Sequence, residues 1–216
     1  MAVELLDVFG DDLTVVNAAR VSLAKESTEF SPQDAKLISY LANHSHISPF
    51  FHPQARFRLK MPIFIAREWF RHTIGFARNE VSRRYVDTPP DFFFPTELRP
   101  RAPLKKQGSL EDVPFEKNEE CMKILLDHTD SCASVYRHLL DQGVCPEQAR
   151  LVLPQNMMTE FIETGSLAAY ARLCNLRLHP DSQKEIRELA AEIARQLEAK
   201  FPVSWRALLA ASQGEQ

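Results

Sequence analysis

The segment Arg67–Tyr85 reads REWFRHTIGFARNEVSRRY and is the most densely charged part of this 216-residue chain. It contains five arginines and one histidine against two glutamates, a local charge of about +3 in a protein whose net charge is -3. Arginine stays charged at any working pH and presents planar, paired donors that suit phosphate. Apolar residues are interleaved with these charges, so the segment is not wholly exposed. The stretch therefore predicts an anion-binding site that is partly buried.

The glycine content limits how a nucleotide could be bound. The chain has only six glycines, and they are scattered along the sequence. Dinucleotide-binding turns and phosphate-binding loops both need clustered glycines, because the backbone must approach the phosphates closely. Neither motif is present, so side chains such as those of arginine would have to hold any bound phosphates.

Composition sets the broad class of the protein. The chain is 44% hydrophobic and 25% charged, which is ordinary for a globular protein with a real core. Its slightly acidic balance disfavours a surface dedicated to nucleic acid or anionic membrane. No apolar run reaches the ~18 to 20 residues of a membrane span, and the N-terminus does not resemble a secretion signal. The four cysteines form no C-x-x-C pair, so we expect reduced thiols in a cytoplasmic protein.

Hydrophobic periodicity predicts more helix than strand. Helices are expected over residues 13–21, 32–43, 62–72, 116–142, 166–177 and 181–200, with a short helix from Pro146. Strands are expected over residues 54–60, 92–94 and 156–164. Because the strands do not alternate strictly with helices, the predicted class is α+β. We expect a helix-rich single domain over residues 1–216, built around a small, mostly antiparallel twisted sheet.

The run from Arg71 to Tyr85 also resembles the signature of flavin-dependent thymidylate synthases. That signature is Arg-His-Arg, seven or eight residues, then Ser, with Asn-Glu-x-Ser-x-Arg-Tyr at its end. Other segments resemble the family in the same order along the chain: NAARVS (17–22), HSHISPF (44–50), PIFIAR (62–67), ARLVLP (149–154) and NLR (175–177). The resemblance implies a homotetramer with FAD at subunit interfaces. Such an enzyme makes dTMP from dUMP, with 5,10-methylenetetrahydrofolate as carbon donor and NADPH as the source of hydride.

The resemblance also implies roles for individual residues. The catalytic residues would be Arg177, which stabilises an enolate-like uracil, Ser82, which positions the substrate, and His46, which lies by the flavin ring. The implied dUMP-binding residues are Glu68, Arg71, Glu80, Val81, Ser82, Arg83, Arg84, Arg150 and Arg177. The implied FAD-binding residues are Ser48, Arg71, His72, Thr73, Arg78, Asn79, Glu80, Ser166 and Arg172.

The chain departs from the family pattern at positions that concern the flavin. Thr73 stands where the family usually has the third signature residue, Arg, and Arg78 is a candidate replacement for that charge. Ala168 stands where many members have another Arg, and Arg172 is the nearest substitute. Asp181 stands where the family has a histidine. These changes bear on the flavin contacts rather than on the reaction.

Two other functions remain open at this level. A nucleotide- or nucleic-acid-binding module could use the Arg67–Arg84 cluster and a basic loop, and its affinity would fall steeply with salt. The loop residues are Arg99, Arg101, Lys105 and Lys106. A metal-dependent hydrolase could use His44, His46 and His52 as zinc ligands. No Asp or Cys nearby completes that set, so we predict no metal.

Three residues of the proposed site have simpler interpretations. Arg177 could merely complement the dipole at the end of a helix. Ser82 could be a nucleophile, although no histidine lies beside it in sequence to act as its base. Glu68 could pair with an arginine instead of binding substrate.

Overall fold

The computed structural model describes residues 1–103, 108–111 and 113–213. Within them the strands are β1 Ala2–Phe9, β2 Gln54–Pro62, β3 Phe76–Glu80 and β4 Met158–Ser166. The helices are α1 Asp12–Arg20, α2 Pro32–Asn43, α3 Ile63–Trp69, α4 Asn118–Asp141, α5 Pro146–Ala149, α6 Leu167–Arg177, α7 Lys184–Lys200 and α8 Pro202–Gln213. Three 3₁₀ turns cover Val21–Leu23, Ser48–Phe51 and Arg150–Val152. The strands form one antiparallel sheet in the order β1-β2-β4-β3, which confirms the predicted α+β class.

The contacts of the chain divide it into two compact units. Unit 1 comprises Lys60–Trp69 and Glu80–Phe161, together with Met1. Unit 2 comprises Ala2–Leu59, Phe70–Asn79 and Ile162–Gln216. The extent of a single domain over residues 1–216 stays a prediction.

Unit 2 is built around its C-terminal helices. The apolar stripe predicted for α7 is buried, since Ile186, Leu189, Ile193 and Leu197 are at most 3% exposed. Helix α8 packs against α2, α6 and α7, and β1 contacts α7. The core of unit 2 therefore forms where the apolar faces of its helices pack against one another.

Two consecutive aspartates near the N-terminus cap two different helices. Asp11 caps α1, because its carboxylate accepts a hydrogen bond from Thr14 N at 2.9 Å. Asp12 is buried, and its carboxylate accepts from Val203 N at 2.9 Å and Ser204 N at 2.8 Å in the first turn of α8. The helix predicted over residues 13–21 is thus present as α1, whereas α8 and its distant cap were not predicted.

Unit 1 contains the long helix α4, whose bounds agree with the prediction within two residues. Only Thr129 and Tyr136 are fully buried along it, and Leu126 is 41% exposed. Thr129 is tied to the rest of the unit, because its hydroxyl accepts from Asn156 Nδ2 at 3.3 Å. Asn156 also donates to the carbonyl of Phe93 at 3.1 Å.

Several elements differ from the sequence-based expectation. Strand β3 was not predicted, because its residues FARNE lack regular apolar alternation and are mostly exposed. Strand β1 was also missed, and α7 begins three residues later than expected. The short strand expected over residues 92–94 is an isolated bridge between Phe92 and Met157. Lys105 and Lys106 of the proposed basic loop lie outside the described residues.

Two general expectations can also be compared with the structure. All four cysteines are free; Cys174 is buried, Cys121 and Cys132 are half-buried, and Cys145 is exposed. No helix in the described part of the chain combines the length and the apolar character that a membrane crossing requires.

Candidate active site: a charged cleft and an arginine cluster

The predicted site residues fall into both units. Those in unit 1 are Glu68, Glu80, Val81, Ser82, Arg83, Arg84 and Arg150. Those in unit 2 are His46, Ser48, Arg71, His72, Thr73, Arg78, Asn79, Ser166, Arg172 and Arg177.

Unit 1 contains a cleft of about 630 Å³, which we call the charged cleft. Its wall brings together predicted residues from the signature and from the turn after α5: Glu80, Val81, Ser82, Arg83 and Arg150. It also includes acidic and basic residues that the sequence did not single out: Lys60, Asp91 and Glu160. A volume of this size suits a small organic ligand.

Strand pairing fixes the signature residues in the cleft wall. Val81 N donates to the carbonyl of Glu160 at 2.9 Å, which extends the β3–β4 pairing past the end of β3. Thr159 Oγ1 donates to the Glu80 carboxylate at 2.5 Å, so that side chain is held against β4. Thr159 was not predicted as a site residue, because only the pairing of β4 with β3 brings it to Glu80.

The turn after β3 is held by backbone bonds to Ser82. The Ser82 carbonyl accepts from Tyr85 N at 3.0 Å, and the Ser82 hydroxyl accepts from Arg84 N at 3.3 Å. A hydroxyl oxygen held in this way suits substrate positioning. No contact seen in the described residues identifies a base for Ser82 as a nucleophile.

The cleft contains three cationic side chains, of which Lys60 is paired with an acid and the other two donate to backbone carbonyls. Lys60 Nζ contacts Asp91 Oδ2 at 2.6 Å, and this hydrogen bond and charge lower the pKa of Asp91 below its usual value. Arg83 donates to the carbonyl of Thr88, and Arg150 Nε donates to the carbonyl of Glu147 at 3.2 Å. The cleft can therefore offer cationic groups to an anionic ligand.

Arg84, which the resemblance assigned to the substrate phosphate, lies beside the ring of Tyr85. Its guanidinium carbon is 5.0 Å from the ring centroid. Arg83 lines the charged cleft instead. Glu68 lies on α3 and is partly exposed, and Arg71, just after that helix, is exposed.

Unit 2 contains a second concentration of charge, which we call the arginine cluster: His72, Arg78, Arg172 and Arg177. Arg177, in the last turn of α6, donates from Nε to His72 Nε2 at 2.9 Å. Arg172, one turn earlier in α6, donates from Nη2 to the carbonyl of Ile74 at 3.0 Å. The loop from residue 72 to residue 75 is thus bound to α6 twice.

His72 is neutral at physiological pH. Its side chain is buried, and this burial lowers its pKa, with further lowering by the charges of Arg177, Arg78 and Arg172, to about 4. Because Nε2 accepts a hydrogen bond from Arg177, the ring proton is on Nδ1.

Arg78 forms a buried ion pair with Glu163, whose side chain is fully buried. Its guanidinium carbon also lies 4.8 Å from the Phe76 ring centroid and 5.3 Å from that of Phe70. The sequence suggested Arg78 as a replacement for the missing signature arginine. The structure shows it committed to Glu163, a partner 85 residues away that the sequence did not indicate.

Unit 2 also contains a cavity of about 440 Å³. Ala168 and Arg172 both line it, together with Ser45, Ile74 and Asn175. Because both residues line the same cavity, Arg172 can supply there the charge that an arginine at position 168 would supply. A mostly apolar wall with one guanidinium and two amides, those of Asn43 and Asn175, suits a planar ring system that carries polar groups.

The other predicted flavin residues have varied environments. Ser166 is buried and caps α6, since its hydroxyl accepts from Ala169 N at 3.2 Å. Ser48 is exposed at the start of a 3₁₀ turn, and Thr73 and Asn79 are also exposed.

His46 belongs to a small aromatic group with Tyr40 and His44. The rings of Tyr40 and His44 stack at 4.1 Å between centroids, and His46 meets Tyr40 edge-on at 5.9 Å. Ser45 between the histidines has a positive φ of 56°, so the chain turns sharply there. Among the described residues, no group of three or more His, Cys, Asp or Glu side chains could hold a metal ion.

Comparison with known sequences gives a consistent set of relatives. A family model described as thymidylate synthase complementing protein matches residues 4–203. The flavin-dependent thymidylate synthase of Thermus thermophilus is 40% identical over 205 residues, covering 95% of this chain and 74% of the relative. That of Thermosipho melanesiensis is 36% identical over 205 residues, covering 95% of this chain and 89% of the relative.

Solved structures agree with the sequence comparison. A crystal structure of the UMP/dUMP methylase PolB from Streptomyces cacaoi, bound with 5-Br dUMP, matches with a TM-score of 0.87. It is 31% identical, and the match covers 97% of this chain and 94% of that chain. A second structure of PolB, bound with 5-Br UMP, matches with a TM-score of 0.86 at 29% identity.

Proposed function

Since the chain belongs to the flavin-dependent thymidylate synthase family, we propose that it converts dUMP into dTMP. The carbon donor is 5,10-methylenetetrahydrofolate, and NADPH is the source of hydride. The predicted family, the enzyme class and the FAD cofactor are confirmed by the family match and the relatives. The observation that carries the site assignment is the cleft itself, where Ser82, Arg83 and Arg150 line one wall.

The charged cleft is the proposed site of the nucleotide. The phosphate of dUMP is a dianion, and Arg83 and Arg150 supply charge-assisted donors to it. Ser82 positions the nucleotide through its hydroxyl, which the turn after β3 holds in place. Glu80, fixed by Thr159, offers a carboxylate for polar groups of the ligand.

Arg177 is the proposed catalytic residue. Uracil must become electron-rich at C5 before it attacks the one-carbon unit, and negative charge then develops on its carbonyl oxygens. A guanidinium held against that edge stabilises the developing charge. Helix α6 and the loop at residue 72 place this guanidinium before any substrate arrives.

Side chains in unit 2 are suited to hold part of FAD. The 440 Å³ cavity is too small for the whole cofactor but suits one of its ring systems, and Arg172 supplies a cation at its edge. His46 and Ser48 are proposed to contact the flavin and folate, and Thr73 and Asn79 offer exposed polar groups. When bound and reduced by NADPH, the flavin would supply the hydride that completes the methyl group.

The assembly is proposed to be a homotetramer with sites completed between subunits. A cytoplasmic location, no nucleic-acid partner and no membrane association are proposed on the grounds of charge balance and free cysteines. The alternative, a nucleic-acid-binding module on the Arg67–Arg84 cluster, is less well supported, because Arg78 is committed to Glu163.

The decisive experiment combines a spectrum with an assay. The purified protein should be yellow, its flavin absorbance should bleach with NADPH, and dUMP with methylenetetrahydrofolate should yield dTMP. A parallel assay with UMP tests whether the ribose 2′-hydroxyl is tolerated, since PolB is described as a UMP/dUMP methylase. A colourless protein that gains no flavin spectrum with added FAD and forms no dTMP would contradict the proposed function.

A further inference from the structure

We propose that His72 is a positioning residue for Arg177. Its ring nitrogen Nε2 accepts a hydrogen bond from Arg177 Nε and thereby fixes the direction of the guanidinium that acts on uracil. This inference rests on the function proposed above for Arg177. It gives His72 a role other than direct contact with FAD.

The hydrogen bond is placed where it controls orientation. Arg177 has a long side chain that loses considerable rotamer freedom when it is ordered. Nε lies at the stem of the guanidinium, so a bond at 2.9 Å to Nε sets the plane of the whole head group. The paired terminal NH₂ groups, which suit the adjacent O2 and N3 acceptors of an ionised uracil ring, are then set in one direction.

The loop that carries His72 is itself fixed against α6. The carbonyl of Ile74 accepts from Arg172 at 3.0 Å, so the loop is bound at two points one turn apart on the helix. Gly75 has a φ of +81°, and a Cβ there would lie 2.9 Å from the Ala169 Cβ, so the loop backbone packs closely on α6. His72 is therefore a fixed acceptor rather than a mobile one.

The protonation state of His72 suits an acceptor. Three guanidinium groups face it, those of Arg177 and Arg172 from α6 and that of Arg78 from β3, while the acid Glu163 is paired with Arg78. Burial and these charges lower the pKa of the His72 ring to about 4, so the ring stays neutral above that pH. A histidine that binds phosphate does so best as an imidazolium with two donors, whereas a neutral ring among arginines is suited to orient one of them.

The test compares two replacements of His72. His72→Leu removes the acceptor, and His72→Gln offers an amide oxygen where Nε2 had been. Turnover of dUMP by His72→Leu should fall roughly 10- to 100-fold, the usual loss when an outer hydrogen-bond partner of a functional group is removed. Flavin content and KM for dUMP should stay near wild type, and His72→Gln should recover most of kcat. His138→Leu, at an exposed histidine on α4, is the matched control and should be unaffected.

A double-mutant cycle separates positioning from general damage. Arg177→Lys keeps the charge but has no Nε, so adding His72→Leu to it should cost little more. Losses that simply multiply would overturn the proposal, as would a His72→Leu enzyme that loses flavin but has wild-type kcat when saturated with FAD. If wild type forms no dTMP, the proposed function fails; if wild type is active and His72→Leu is equally active, only this inference fails.

A measurement on the wild-type protein covers the case in which His72→Leu does not fold. The ¹⁵N spectrum of the histidine rings should show His72 with its proton on Nδ1 and an accepting Nε2 from pH 5 to pH 8. An imidazolium, or a proton on Nε2, in that range would overturn the proposal.

Discussion

The charged cleft and the arginine cluster use the same kinds of side chain in opposite ways. In the cleft, Lys60 and Asp91 are paired at 2.6 Å, but their side chains are 38% and 70% exposed. In the cluster, the side chains of Arg78 and Glu163 are 15% and 0% exposed. Water screens the first pair and is largely excluded from the second.

The exposed charges of the cleft therefore suit ligand binding, whereas the buried charges of the cluster suit the alignment of side chains. Exposed cations can leave their partners and move to an incoming phosphate at little cost in stability. Buried charges are fixed before the ligand arrives, and removing one of them leaves the other without solvation. We therefore expect substitutions in the cleft to act mainly on nucleotide affinity, and substitutions in the cluster to act on stability and turnover.

The largest effect is expected for Glu163→Leu. It leaves Arg78 as a buried charge without its partner, which should lower the free energy of unfolding by about 3–5 kcal/mol. Urea unfolding at fixed protein concentration measures this loss. Arg78→Met combined with Glu163→Leu should recover much of the lost stability. A Glu163→Leu variant as stable as wild type would contradict the difference described between the two regions.

Arg177→Ala should affect turnover rather than stability. Loss of one group that stabilises developing negative charge should lower kcat for dTMP formation by about 10²- to 10³-fold. Flavin absorbance should be retained, because the proposed role concerns uracil. Arg195→Ala, at an arginine 71% exposed on α7, serves as the control. Retained turnover in Arg177→Ala would contradict the assigned role.

The pH dependence of stability should report on His72. Its pKa is about 4 in the folded protein against 6.5 ordinarily, so below pH 6.5 the unfolded state takes up a proton that the folded state does not. This histidine should therefore make the free energy of unfolding fall as pH decreases from 6.5 to 4, by at most about 1.4 kcal/mol per pH unit. Unfolding curves of wild type and His72→Gln should differ in slope over that range and run parallel above it. Equal slopes throughout would be incompatible with a depressed pKa.

The smallest effect on stability is expected for Lys60→Gln. An exposed ion pair contributes less than about 1 kcal/mol, so unfolding should hardly change. The KM for dUMP should nevertheless rise, because the cleft loses a cation, while Asp91→Asn should lower it by removing a competing anion. A Lys60→Gln enzyme that is strongly destabilised would show that the cleft is as rigid as the cluster.

Elements with local sequence markers could be predicted. Ser31 and Pro32, a favourable N-cap and first helical residue, stand at the start of the predicted helix over residues 32–43, which is α2. The alternation in Gln54–Lys60 indicated β2, including the outward direction of its basic residues. Such markers act through neighbours within one turn or one strand, so a single sequence displays them.

Contacts between distant residues could not be predicted in the same way. Glu163 pairs with Arg78 across 85 residues, and Thr159 binds Glu80 across 79 residues. Nothing in the composition or spacing of either segment indicates its partner, since those pairs arise from the order of strands in the sheet. The resemblance identified many of the site residues, but it did not show which of them are bound to each other.

The carboxylate of Asp12 has a consequence for how the chain is made. Its partners, Val203 N and Ser204 N, lie 191 and 192 residues further along. During synthesis this acid is translated long before its two donors, so it must stay hydrated until they follow. Helices α1 and α8 can therefore be joined only after the residues between them have left the ribosome, and this part of unit 2 forms by a long-range closure.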